Sequence, residues 1–347
     1  MERCGVLNIA SGKKELLNKI NEVAGTDLAA VEEMLFDCIA SDSQAMQDVI
    51  RHVFRRPGKR LRPALVLLTG SLYPSKNENV LKVATAAELI HTASLIHDDI
   101  IDSSSWRRNQ PSVNASYGNR PAVLAGDYLF ARAFEMIALC EHVQLFRSFS
   151  RVVSVMCEGE MEQARHLFNL DRTKEEYLHD AYRKTAALME TCCGAGARLS
   201  GLDIKAIESL EHYGRNLGMA FQLIDDLLDI AGDSLVMGKP ANSDIREGII
   251  TLPYIYLMEG CLAEQWIREK IERRDFSAIR MEFFQHDPSK LNDPLKRTLL
   301  DAEGYVKQAR QNLSQFAVEN HQLDGDVLDT LDFLAEYIIS SVSTSVR

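Results

Sequence analysis

Six aspartates fall in two short clusters of one pattern, Leu95-Ile96-His97-Asp98-Asp99-Ile100-Ile101-Asp102 and Leu223-Ile224-Asp225-Asp226-Leu227-Leu228-Asp229. Each cluster closes a long apolar run with helical spacing, and on a helix residues four apart share a face. Asp98 therefore projects beside Asp102, and Asp225 beside Asp229. Like charges so placed repel, and something must offset the repulsion. A lone cluster is an ordinary solvated helix end. A repeat with apolar central pairs points to bound cations. An all-carboxylate ligand set favours hard ions, and magnesium is held by one or two carboxylates together with water and substrate phosphate. Facing each other, the clusters would grip a diphosphate through bridging ions, which neutralise a departing diphosphate and act as Lewis acids. If the bond to diphosphate breaks first, the product is an allylic carbocation, stabilised by the same field without any protein nucleophile.

Basic residues flank this acidic chemistry. Gly58-Lys59-Arg60-Leu61-Arg62-Pro63 precedes the first cluster and Arg107-Arg108 follows it. Arginine forks match phosphate oxygens and stay charged in a partly dry cleft, so these runs suit a second phosphate-bearing substrate. Lys184-Thr185 lies between the clusters, and Lys239, in Gly238-Lys239-Pro240, follows the second. His91 stands two helical turns before Asp98, in register with the same cleft.

The elements that must carry these side chains read as helices nearly throughout, with apolar residues recurring at intervals of three and four. The 347 residues are 46% apolar and 26% charged, ample for a packed core. The 9 prolines and 19 glycines fall mostly between helical runs, with no composition break or linker among them. The expectation is an all-α chain: one large domain over 13–347, a frayed segment over 1–12, and functional loops at 103–120 and 232–250. A net charge of −11 argues against nucleic acid as the main partner. No apolar run approaches the roughly 18 residues that cross a bilayer, and the start lacks a signal-peptide apolar core. The cysteines Cys4, Cys38, Cys140, Cys157, Cys192, Cys193 and Cys261 lack metal-like spacing and read as thiols in a reducing cytoplasm.

In their order and spacing, GKRLRP, HTASLIHDDIID with its following Arg107-Arg108, AGDYL, KTA, FQLIDDLLD, GKP and TLP resemble the trans-isoprenyl diphosphate (polyprenyl) synthases over nearly the whole chain. The resemblance implies an isoprenoid-synthase helical bundle with a deep central cavity, usually a homodimer. It implies head-to-tail condensation of isopentenyl diphosphate with an allylic diphosphate. It assigns Mg2+, three ions in the substrate-bound state, to Asp98, Asp102 and Asp225, with Asp99, Asp226 and Asp229 in support. It gives isopentenyl diphosphate to Lys59, Arg62, His91 and Arg108. The allylic diphosphate falls to Arg107, Lys184 and Lys239, with Thr185 and Gln222 beside the developing cation. Three positions depart from the family pattern. Ile249 stands where lysine is frequent, so one phosphate contact is missing or supplied elsewhere; Asn109 and Ser112 are milder changes. A terpene cyclase would leave GKRLRP and Arg107-Arg108 idle, and a silent regulatory subunit would have lost aspartates. A shorter-chain synthase and a catalytic subunit that needs a small partner both stay open.

A growing hydrocarbon tail would run along the apolar helix away from Asp98. Ala93 and Ser94, five and four positions before it, are small, and Ile90 and Ala87 lie deeper on that face. Each turn is about 5.4 Å, close to one isoprene unit, so an open path predicts a product beyond C20, about C30–C50. Phe146 or Phe149 is the expected plug. So long a product also predicts peripheral membrane contact on release.

Overall fold

A computed structural model describes residues 3–37, 40–56, 58–73, 77–231, 242–259, 264–276 and 288–340. The described residues are all-α apart from one small hairpin. Helices α1 (Arg3–Asp37), α2 (Gln44–Phe54) and α3 (Leu61–Gly70) lead into α4 (Asn79–Ile101), which ends on the first aspartate cluster. The stretch expected as a loop at 103–120 is instead built: β1 (Trp106–Arg107) pairs antiparallel with β2 (Gln110–Pro111), and α5 (Val113–Tyr117) comes next. Ser112 caps α5 by accepting from the Ala115 amide, so its hydroxyl has a local structural task. Then come α6 (Asn119–Ala138), α7 (Val143–Arg165) and α8 (Lys174–Ala181). Thr173 and Glu176 start α8 with a reciprocal capping box.

A π-turn (Tyr182–Ala186) joins α8 to α9 (Ala187–Leu199), and α10 (Ile204–Ala231) carries the second cluster at its end. Of the second expected loop, residues 232–241 lie outside the described residues, Lys239 among them. Beyond them run α11 (Ser243–Arg246), α12 (Leu252–Met258), α13 (Glu264–Glu272), α14 (Pro288–Glu319) and α15 (Gly325–Ser340).

Two packed sets position the clusters. The first joins α4 to α6 and α3, and the second joins α10 to α9 and α14, with α3 against α9 linking them. From Val83 to Ile90 every residue of α4 is buried, as an interior helix requires. Tyr213 of α10, also buried, donates its hydroxyl to the Leu331 carbonyl of α15 at 2.7 Å. Both aspartate-bearing helices are therefore held over their length, and only their last turns reach the polar end. Among the described cysteines, Cys140, Cys157, Cys192 and Cys193 are free thiols, and burial pushes Cys192 up to about 12. No helix among the described residues is long and apolar enough to cross a membrane.

Candidate active site

The six aspartates do not share one environment. Asp99 is buried and accepts from Arg107 Nε at 2.7 Å, while its backbone carbonyl accepts from Asn114 Nδ2 at 3.1 Å. Asp226, also buried, accepts from the Tyr177 hydroxyl at 2.5 Å and from Gln222 Nε2 at 2.8 Å. Asp229 accepts from the Ser243 hydroxyl at 2.6 Å and from the amides of Ser243 and Asp244 at 3.2 and 3.3 Å. These three carboxylates tie the helix ends to neighbouring segments of the bundle. Asp98 and Asp225, by contrast, make no side-chain hydrogen bond among the described residues. Asp102 caps α4 and turns the chain toward the hairpin. Burial, reinforced by Glu160 and Asp102, pushes the Asp98 pKa up to about 7.

Lys184 and Thr185 sit on the π-turn, whose extra residue shifts the register of α9 relative to α8; such bulges cluster at functional sites. Gly218 of α10 makes room for it, since a Cβ there would lie 2.5 Å from Ala186 Cα. Lys184 Nζ lies 3.7 Å from Glu160 Oε1 and 3.4 Å from Gln163 Oε1, both on α7. Burial works against the Lys184 ammonium, yet Glu160, Asp98 and Asp102 outweigh it and hold its pKa above the ordinary value. Thr185 donates to Gln222 Oε1 at 2.5 Å, so Thr185, Gln222, Asp226 and Tyr177 form one hydrogen-bonded chain.

The basic side is assembled from two separate turns. Gly58 lies under the Arg108 guanidinium: a Cβ there would come within 2.5 Å of Nη2. Arg108 Nη1 donates to the Arg56 carbonyl and Arg56 Nη1 to the Arg108 carbonyl, each at 3.3 Å. Burial and the charges of Arg62, Arg108, Arg107 and Arg60 hold the His91 pKa well below its ordinary value, so the imidazole is neutral among guanidiniums. Lys59 stands exposed on the turn that opens α3. Ile90 and Ala93 are fully buried, and Ser94 turns its hydroxyl back to the His91 carbonyl at 2.9 Å. Of the two aromatics expected to close the path, Phe149 is buried, whereas Phe146 is 42% exposed and leans on Phe134. Ile249 is half-buried, its amide donating to the Asp244 carbonyl at 2.9 Å, and its side chain brings no charge.

No three His, Cys, Asp or Glu side chains among the described residues come together as a closed metal site. The donors present are carboxylate oxygens, hard ligands that suit Mg2+. The sequence profile described as polyprenyl synthetase matches residues 43–283, a span that contains every motif above. The chain belongs to the polyprenyl synthetase family. It is 38% identical to heptaprenyl diphosphate synthase component 2 of Geobacillus stearothermophilus, over 67% of this chain and 72% of that protein. It is 36% identical to octaprenyl diphosphate synthase of Escherichia coli (strain K12), over 74% and 80%. Among solved structures it resembles a polyprenyl synthase from Caulobacter crescentus CB15 complexed with calcium and isoprenyl diphosphate (TM-score 0.82, 31% identity, 93% and 97% covered). It also resembles a decaprenyl diphosphate synthase from Rhodobacter capsulatus (TM-score 0.80, 30% identity, 93% and 98% covered).

Within this polyprenyl synthetase fold, sequence reasoning missed Tyr177, Glu160, Gln163 and Ser243. Glu160 and Gln163 lie in an acidic stretch of α7 that reads as a solvated face, and Tyr177 bonds a residue 49 positions away. Tyr177→Phe removes the hydroxyl that fixes Asp226. With Asp226 supporting the Mg2+ site proposed below, and the loss of such a supporting group commonly worth 10–100-fold, the half-saturating Mg2+ concentration should rise about tenfold with the fold intact by circular dichroism. The raised Asp98 pKa sets a pH dependence. With Asp98 holding Mg2+, as proposed below, a proton would compete with the cation below about pH 7, and in a titration the half-saturating Mg2+ should climb as pH falls from about 8 to about 6. For the metal-free protein the sign reverses: Asp98 alone adds stability as pH falls from about 7 toward about 4, because the folded state binds the proton more tightly.

Proposed function

We propose that this prenyltransferase joins isopentenyl diphosphate head-to-tail to an allylic diphosphate and extends it to an all-trans polyprenyl diphosphate of medium or long chain. The observation that carries this reading is the division among the aspartates. Asp99, Asp226 and Asp229 are bound to the protein, while Asp98 and Asp225 make no side-chain hydrogen bond among the described residues, with Lys184 near Asp98 and Arg62 near Asp225. The hepta-, octa- and decaprenyl synthases among its relatives support the product class.

Asp98, Asp102 and Asp225 would hold Mg2+, three ions once substrate is bound, supplying Lewis-acid stabilisation to the departing diphosphate. Lys184, kept protonated by its acidic neighbours, and Arg107, oriented by Asp99, face the allylic diphosphate; Lys239 is assigned there by motif. Lys59, Arg62, His91 and Arg108 seat isopentenyl diphosphate, with neutral His91 donating a hydrogen bond rather than a charge. The Thr185 and Gln222 oxygens flank the developing cation. Attack by the isopentenyl double bond extends the chain, and released diphosphate takes the lost proton. Ala93, Ser94 and Ile90 line the tail's path, with Phe149 as the buried stop, for a product of about C30–C50 at one isoprene unit per helical turn.

A homodimer is supported by exposed apolar residues on α6, its C-cap and α7: Val123, Leu124, Leu139, Val143 and Phe146. Two relatives named as component 2 make a small partner subunit part of the proposal. Residence in the cytoplasm, with peripheral membrane contact at product release, completes it.

Purified protein given isopentenyl diphosphate, farnesyl diphosphate and Mg2+ should form longer prenyl diphosphates, resolved by chromatography. Asp98→Ala and Asp225→Ala should each slow condensation by roughly 10²–10³-fold, the loss typical of a transition-state charge stabiliser, and a chelator should abolish it. Parent-like rates in those variants would refute the metal-clamp reading. Ser94→Phe should shorten the product ladder, because an aromatic ring would fill the path within about one 5.4 Å turn of the metal end. An unchanged ladder would place the tail elsewhere.

A further inference from the structure

Arg60 lies between Lys59 and Arg62, yet its guanidinium faces away from phosphate and into the protein. It donates from Nη1 to Glu88 Oε1 of α4 at 2.5 Å, and from Nε and Nη2 to both oxygens of Glu32 on α1, the latter at 3.0 Å. Its backbone is left-handed, with φ 52, and its carbonyl accepts the Ala64 amide that opens α3. That conformation costs a non-glycine residue about 1 kcal/mol or more and persists only where surrounding contacts fix it. Glu88 is 2% exposed, its Oε2 has no hydrogen-bond partner, and it lies one turn from His91 on α4. Arg62 Nε is likewise buried and unpartnered. A buried carboxylate in such a place is strongly disfavoured unless nearby cations compensate it.

We propose that Glu88 is the positioning residue of the isopentenyl diphosphate pocket: it locks Arg60, and Arg60 locks the turn that presents Lys59 and Arg62. This rests on the function proposed above. Burial pulls the pKa values of Arg62 and Arg108 down, and in both the charge that most opposes it is Glu88. The same carboxylate therefore holds one arginine in place and supplies the main opposing charge beside two others where water is scarce. It touches no reacting atom, so it acts on the affinity for one substrate rather than on bond cleavage.

The test is steady-state kinetics of Glu88→Gln with each substrate varied in turn. The KM for isopentenyl diphosphate should rise roughly tenfold, as for loss of a supporting side chain, while kcat and the KM for the allylic substrate stay within about twofold. The sign is decisive. Were Glu88 only an unfavourable charge near an anion site, its removal should tighten binding and lower that KM. A lowered or unchanged KM for isopentenyl diphosphate overturns the proposal, and so does an equal rise in both KM values, which marks general loosening. If Glu88→Gln does not fold, Glu32→Gln opens the outer half of the same grip and should raise the same KM about threefold; an unchanged KM there overturns the proposal too. An unaltered protein that forms no prenyl product would instead sink the proposed function.

Discussion

A cleft that binds two polyanions must keep its own acids and bases from neutralising each other. At about 4 Å and an effective dielectric near 20, a unit pair is worth roughly 4 kcal/mol, enough to collapse an unsupported cluster into internal salt bridges. This chain meets the constraint by giving particular charges fixed protein partners. Arg60 is held by Glu32 and Glu88, Arg107 by Asp99, and Asp226 and Asp229 by hydroxyls and amides. What that leaves for the proposed ligands is an acidic set led by Asp98 and Asp225 and a basic set around Arg62 and Arg108. Lys184 beside Glu160, at 3.7 Å, is a looser pairing than those fixed contacts.

Such sorting needs rigid ends on helices that are otherwise apolar. The last turns of α4 and α10 carry the aspartates, and each is anchored to the segment beyond it: α4 through Arg107 and Asn114, α10 through Ser243. The π-turn solves a related problem. A regular helix through residues 174–199 would fix Lys184 and Thr185 in one register with the buried α9 face, and the inserted residue lets the two registers differ. Gly58 and Gly218 show how little slack is present, since a methyl at either would overlap a guanidinium or a backbone. Positioning here is a matter of close packing as much as of hydrogen bonds.

The fold class and the aspartate-bearing helix ends were legible in the sequence because their signals are local. A three-four apolar rhythm specifies helices, and a carboxylate pair four residues apart on one of them declares its face. The hairpin at 106–111 was not legible: two-residue strands carry no alternation to detect. Nor were Tyr177 and Glu32, whose partners Asp226 and Arg60 lie 49 and 28 positions away, a pairing that only the packed bundle creates. Phe146 and Phe149 read alike as apolar residues of α7, and three positions turn a helix by nearly a full circle. Burial alone separates them.

The same helix, α4, must serve two solvents at once. Its end is the polar site where Asp98 is proposed to meet ions and water, while about one to two turns back Ser94, Ala93 and Ile90 would meet hydrocarbon. Small side chains suit that transition, because a bulky one would close the path and a polar one with an unpaired group would carry a desolvation cost of a few kcal/mol. Ser94 avoids the second penalty by donating to the His91 carbonyl within its own helix. His91 is thereby a joint element: the arginine charges act on its ring, and its backbone carbonyl accepts from the Ser94 hydroxyl. In the proposed reading, acceptor binding and chain growth would be coupled through one helical turn, and a change made there to alter product length would also bear on the pocket proposed for isopentenyl diphosphate.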